Sequence, residues 1–155
     1  MWIRQLELQS FRNIANAKLE LGERFNFLHG PNGAGKTAVL ESAPVLARGR
    51  SFRGPQPADL IRIGDPALYV RALLQDEHLG PQRVAVMRSR SGDAQVRING
   101  ESVRRMSLAA ALLPIEVMVP ATVDLVFGGP GVRRQWVDWG LFHVKHEYLG
   151  LQRRY

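Results

Sequence analysis

Residues 30–37 read Gly-Pro-Asn-Gly-Ala-Gly-Lys-Thr, and no other stretch constrains the chain as tightly. They fit the pattern G-x-x-x-x-G-K-[ST]. The apolar run before them, Phe25-Asn26-Phe27-Leu28, reads as a short buried strand. The run after them, Ala38 to Ala43, suits the start of a helix. Strand, glycine loop and helix form the context in which the motif carries chemical meaning. Glycines let the backbone turn tightly and bring its N–H groups against phosphate oxygens. A helix opening near Gly35 adds unpaired N–H donors and the positive end of its dipole. Lys36 is placed to reach the β and γ phosphates as a point charge, and the Thr37 hydroxyl to ligate Mg²⁺. The candidate binding residues are Gly30, Pro31, Asn32, Gly33, Ala34, Gly35, Lys36 and Thr37, for a nucleoside triphosphate with Mg²⁺. The loop does not specify the base.

The residues before the loop read as strands. Trp2 to Leu8 alternates with one buried face, Ser10 to Asn13 turns, and Ala17, Leu19 and Leu21 alternate with Lys18 and Glu20. With Phe25–Leu28, three short strands are expected ahead of the loop. Pro44 is expected to end or kink the first helix beyond Ala43. Residues 47–64 carry several Gly and Pro and read as a loop, with Arg48, Arg50 and Arg53 as a basic cluster. Ala67–Gln75, Arg83–Arg88 and Ala94–Ile98 read as strands of an antiparallel sheet, and Asn99-Gly100 is a two-residue hairpin signal. Arg88, Arg90, Arg97, Arg104 and Arg105 lie along it and suit a half-exposed sheet or a surface facing DNA. Ser107–Leu112 reads as a short helix, Ile115–Val119 as a buried strand, Val123–Phe127 as helical, and Val132–His146 as a longer helix. In that last helix Val132, Gln135, Trp136 and Trp139 make a stripe expected to be core.

Several of these stretches together resemble the RecF family of ABC-type ATPases related to SMC proteins. They are LELQSFRNIANAKLEL, FNFLHGPNGAGKTAVLE, ARGRSFRG at 47–54, VRING at 96–100, LPIEVMVP at 113–120 and GGPGVRRQWVDWGLFHV at 128–144. The resemblance implies an α/β P-loop NTPase of ABC/SMC type, an ATP-binding lobe with an adjoining antiparallel sheet, incomplete over 1–155. Strands, loop and first helix would occupy 1–50, the sheet about 65–100, and helical structure about 105–155. It implies ATP and Mg²⁺ as ligands and ATP-dependent homodimerisation. It also implies binding to DNA, single-stranded and duplex near gaps, and cooperation with other recombination mediator proteins in loading recombinase. In such ATPases the turn after the first strand lies near the nucleotide, which makes Arg12 and Asn13 further candidates, for a phosphate contact and for orienting the loop. Arg133 and Arg134 are candidates for an interface or DNA contact. The alternatives are an SMC-type chromosome-structuring head and a DNA-binding fragment without ATPase activity.

Two elements of a complete ATPase of this type have only lookalikes. Leu73-Leu74-Gln75-Asp76-Glu77 imitates a strand ending in an acidic pair, but Arg71 and Gln75 interrupt its apolar run. Ser91-Gly92-Asp93-Ala94-Gln95 imitates the signature that caps a partner's γ-phosphate, but falls between two expected strands and reads as a hairpin turn. The catalytic pair and signature are expected beyond Tyr155, so no convincing catalytic residue is assigned. His143 and His146 stand one helical turn apart but lack a third metal ligand. His29 is a strand-end residue beside Gly30.

Composition sets the outer limits. An apolar share of 45% over 155 residues supports a real core. Cysteine is absent, which removes disulfides and thiolate metal sites. No apolar run reaches the roughly 18 residues that cross a bilayer, and the N-terminus is no signal peptide. A cytoplasmic location and no membrane partner are expected. The formal charge of +7 favours a polyanion as partner.

Overall fold

The structure is a computed structural model and describes residues 1–54, 56–123 and 127–145. It divides into two compact units, Met1–Ile115 and Glu116–Tyr155. The first unit is built on a six-stranded antiparallel sheet. Its strands are β1 (Trp2–Phe11), β2 (Ile14–Glu20), β3 (Ala67–Asp76), β4 (Gly80–Ser89), β5 (Ala94–Ile98) and β6 (Glu101–Val103), in the order β2-β1-β3-β4-β5-β6. Every neighbouring pair is antiparallel.

The period of two along these strands sends one set of side chains inward. Leu6 and Leu8 of β1, Leu68, Val70, Ala72 and Leu74 of β3, and Val84 and Val86 of β4 are buried. That face is covered by α1 (Lys36–Arg48) and α2 (Met106–Leu112), which join the same core. Val45, Leu46 and Ala47 at the end of α1 are fully buried, so the helix that begins at the glycine loop is anchored by its far end. Gly49 stops α1 in the left-handed conformation (φ 68°), its N–H donating to Val45 O at 2.8 Å. The Asn99-Gly100 hairpin forms with both residues at positive φ, 52° and 89°, the type I′ geometry that suits strand twist.

Four expectations fail in this unit or at its end. Phe25–Leu28 is not a buried strand: Phe25 and Phe27 are 82% and 88% exposed in irregular backbone. A strand needs a hydrogen-bonding neighbour, and none of the described strands pairs with it. Two strands, not three, therefore precede the loop. Pro44 does not stop α1, which continues to Arg48 around a buried Pro44. The missing N–H removes one helical bond, and burial of the three residues that follow outweighs that local loss. Ile115–Val119 is not a buried strand either, since it lacks regular structure and Met118 is 87% exposed.

In the second unit a 3-10 turn covers Pro120–Val123 and α3 spans Pro130–Val144. Part of the expected Val123–Phe127 helix and the residues from His146 onward, and with them one member of the His143–His146 pair, lie outside the described residues. The expectation that the Val132, Gln135, Trp136, Trp139 stripe is core is overturned. No described residue of α3 is buried, and Trp136 is 52% exposed. The side chains interact locally instead: Trp139, Phe142 and His143 form a ring cluster with centroids 4.4 to 5.7 Å apart. A stripe of apolar residues fixes a face but does not supply what covers it.

Candidate nucleotide site

The site grows from the end of β1. Ser10 and Arg12 hold positive φ, 56° and 55°, a left-handed conformation that costs a non-glycine residue free energy. The strain is held by hydrogen bonds across the chain. Arg12 N–H donates to Leu60 O at 2.7 Å and Arg62 N–H to Ser10 O at 2.8 Å. The segment around Ile61 is thus tied to the end of β1, and the two-residue turn Arg12-Asn13 leads straight into β2.

Asn13 meets the glycine loop directly. Its Nδ2 donates to Gly33 O at 2.6 Å. A Cβ on Gly35, which sits at φ 90°, would come 3.1 Å from Ile14 Cγ1, so loop and turn approach closely only because residue 35 has no side chain. Gly35 is also the residue ahead of α1. No side chain caps this helix start, and no carboxylate lies in its first turn. The first intrahelical bond beyond the cap is Val39 N–H to Gly35 O at 2.9 Å. Ala34 N–H already donates to Pro31 O at 3.3 Å, and the N–H groups from Gly35 to Ala38, with the positive end of the helix dipole, stay available for an anion.

Lys36 is folded over its own loop. Nζ donates to Gly30 O at 2.7 Å and to Pro31 O at 2.8 Å, which leaves one of its three N–H donors uncommitted. Thr37 is exposed beside it. A cavity of about 760 Å³ opens here, lined among others by Arg12, Asn13, Asn32, Gly33, Lys36 and Thr37. Arg53, Asp59, Ile61, Arg62 and Ile63 also line it. His29 is exposed and is not part of this lining.

Arg12 is held from behind by a residue the sequence reading passed over. Its Nε and Nη2 donate to the two carboxylate oxygens of Glu41 at 2.9 and 2.6 Å, and Nη1 donates to Asp59 O at 2.7 Å. Glu41 lies within α1 and is fully buried. The forked hydrogen bond with Glu41 raises the Arg12 pKa further above its ordinary value. Ser51 Oγ donates to the same carboxylate and accepts from Arg53 N–H at 2.8 Å. A clue lay in the run Ala38-Val39-Leu40-Glu41-Ser42-Ala43, where a lone carboxylate in an apolar stretch demands a partner.

The other arginines divide by role. Arg48 Nη2 donates to Ile115 O. Arg88 reaches Gly49 O, and burial lowers its pKa. Arg90 binds the carbonyls of Ile61, Arg62 and Asp65. These three brace backbone. Asp76 accepts from the N–H groups of His78 and Leu79, both at 2.9 Å, and so caps the turn after β3. It follows Gln75, the partner of Trp2 at the start of β1, and so stands about 30 Å from Arg12 by strand rise. Ser91–Asp93 forms the β4–β5 turn, as expected.

A family model, the RecF/RecN/SMC N-terminal domain, matches residues 2–119. The chain belongs to that family. Among curated relatives it is 43% identical over 145 residues to the DNA replication and repair protein RecF of Shewanella pealeana, and 41% identical over 150 residues to that of Shewanella loihica. Those matches cover 92% and 96% of this chain but 39% and 41% of the relatives' own lengths. The RecF-type chain thus corresponds to the N-terminal part of longer proteins. A solved structure of the recombination mediator RecF with ATP superposes with a TM-score of 0.85 at 24% identity, covering 96% of this chain and 40% of that one. An SMC head domain from Pyrococcus yayanosii gives 0.75 at 20% identity, covering 89% and 32%. At such identities the structural matches establish the fold, that of a P-loop ATPase head of ABC type.

Proposed function

We propose that this chain is the ATP-binding part of a RecF-type DNA repair protein. The observation that carries the reading is the uncapped start of α1 opening from Gly30–Thr37 into a cavity walled by Arg12, Asn13 and Lys36. Among the described residues of the lining, Asp59 alone is acidic against Arg12, Lys36, Arg53 and Arg62. That is an anion site of the size of a nucleotide rather than of a single phosphate.

In this reading the amides of Gly33 and of Gly35 to Thr37 cradle the phosphate tail. Lys36 turns its uncommitted N–H toward the terminal phosphates. Thr37 offers its hydroxyl to Mg²⁺, and Arg12, locked by Glu41, faces the tail from the opposite side. Asn13 keeps the loop open by holding Gly33 O. When bound, ATP with Mg²⁺ supplies the charge and the cleavable phosphoanhydride that this donor set is built to receive. DNA binding, alone or near single-strand gaps, ATP-dependent pairing of two such heads and the loading of recombinase are the larger activities proposed for the whole protein. The repair reading is preferred to a chromosome-structuring head because sequence identity above 40% attaches to RecF proteins, whereas the SMC likeness is one of fold.

The test is a thermal melt with and without Mg-ATP. Ligand that binds only the folded chain raises its stability by about 2.7 kcal/mol at a hundredfold excess over Kd. The wild-type chain is expected to melt several degrees higher with Mg-ATP, and Lys36→Ala to show no such rise. An equal rise in both would remove the site from the proposal.

A further inference from the structure

The outward face of the sheet holds a second feature. Register places the residues in rows across the strands. One row runs Lys18, Glu7, Arg71, Ala85, Arg97, Ser102, and the next runs Asn16, Gln9, Tyr69, Met87, Gln95. Arg71 and Arg97 flank Ala85, two strand spacings or about 10 Å apart. The short Ala85 side chain leaves a hollow of about 260 Å³ between them, walled by Tyr69, Met87 and Gln95. Arg83 follows two residues before Ala85 on β4. Arg71, Arg83, Gln95 and Arg97 are exposed.

A solvated sheet face usually mixes charge signs. Between Tyr69 and Arg97 the outward positions of β3, β4 and β5 carry three arginines and no carboxylate. Glu7, opposite Arg71 on β1, is engaged by Lys18 at 3.5 Å. The Arg71 guanidinium lies 5.3 Å from the centre of the Tyr69 ring, which holds a flat cationic surface over an aromatic one. Arg88 and Arg90, by contrast, are committed to backbone carbonyls.

We infer that this face, centred on Arg71, Ala85 and Arg97, binds a single strand of nucleic acid, with a backbone phosphate in the hollow and bases lying over Tyr69 and Met87. A sheet has no helix or ribbon projecting here to enter a duplex groove. A cationic platform with an aromatic residue is the arrangement on which unpaired bases stack. The inference rests on the DNA repair reading only for the class of partner, and it does not involve the glycine loop.

Fluorescence anisotropy of a labelled oligothymidine, titrated with the full chain over a range of salt, tests it. Each lost phosphate contact lowers the slope of log K against log salt by about 0.7 for single strands. The double variant Arg71→Gln, Arg97→Gln is expected to bind roughly tenfold or more weakly, with a slope shallower by about 1.4. Arg104→Gln, Arg105→Gln removes the same charge elsewhere and is expected to keep the wild-type slope. Arg71→Lys, Arg97→Lys keeps the charge and is expected to keep the slope too, which guards against a folding artefact. Lys36→Ala is expected to bind the oligonucleotide as wild type does, so loss of the ATP site and loss of this face give separate results. Equal weakening by the two Gln pairs, tighter binding of duplex than of single strand, or competition by polyglutamate as effective as by oligothymidine would each overturn the inference.

Discussion

Glu41 shows how much a single buried group can decide. It is fully buried in α1 and accepts from Arg12 and Ser51, so it joins the turn after β1 to the loop that carries Arg53. Glu41→Ala would leave the half-buried Arg12 guanidinium without its forked acceptor. Losing such a partner costs about 1–3 kcal/mol, and Mg-ATP affinity should fall with it because Arg12 loses its fixed direction. Chemical denaturation and nucleotide titration of the variant check both effects. Asp76 permits a test by pH. Its pKa is lowered below 3.8 by hydrogen bonds from the Leu79 and His78 amides, with the N-terminal ammonium adding to them. A lowered carboxyl pKa contributes stability above the unfolded-state value and loses it as pH falls through the folded-state value. Asp76→Asn should therefore melt below wild type at neutral pH, and the two melting curves should converge in acid below about pH 3.8. A gap that persisted in acid would point to another role.

At the scale of elements, the parts written in local pattern were legible. The alternation of β1 to β5, the Asn99-Gly100 hairpin and the glycine loop followed by a helix all depend on neighbours in sequence. Other features depend on distant residues. Phe25–Leu28 has strand composition, yet nothing described pairs with it. Pro44 carries a local signal to stop, and the buried end of α1 overrides it. The site residues Gly30 to Thr37 were readable as a motif, but the clamp on Arg12 was not, because Glu41 stands 29 positions away. The anchoring of α1 gives a further prediction. Leu46 is fully buried ten residues beyond Lys36. Leu46→Ala should cost about 2–5 kcal/mol, read as a lower denaturation midpoint with an unchanged m-value.

For the molecule as a whole, the sheet organises two surfaces. Its inner face carries α1 and thereby fixes the start of that helix against the turn after β1. Its outer face presents Arg71, Arg83 and Arg97. The same strands thus support the proposed triphosphate cradle at one end and the proposed nucleic-acid platform on the opposite side. In the proposed site, main-chain amides at the start of α1 hold the phosphate tail of ATP. Hydrogen–deuterium exchange of the backbone amides of residues 33–38, with and without Mg-ATP, measures that most directly. Slower exchange of those amides on adding Mg-ATP, absent in Lys36→Ala, is the predicted result. Unchanged exchange there, under conditions in which the nucleotide is bound, would place the phosphates away from the start of α1.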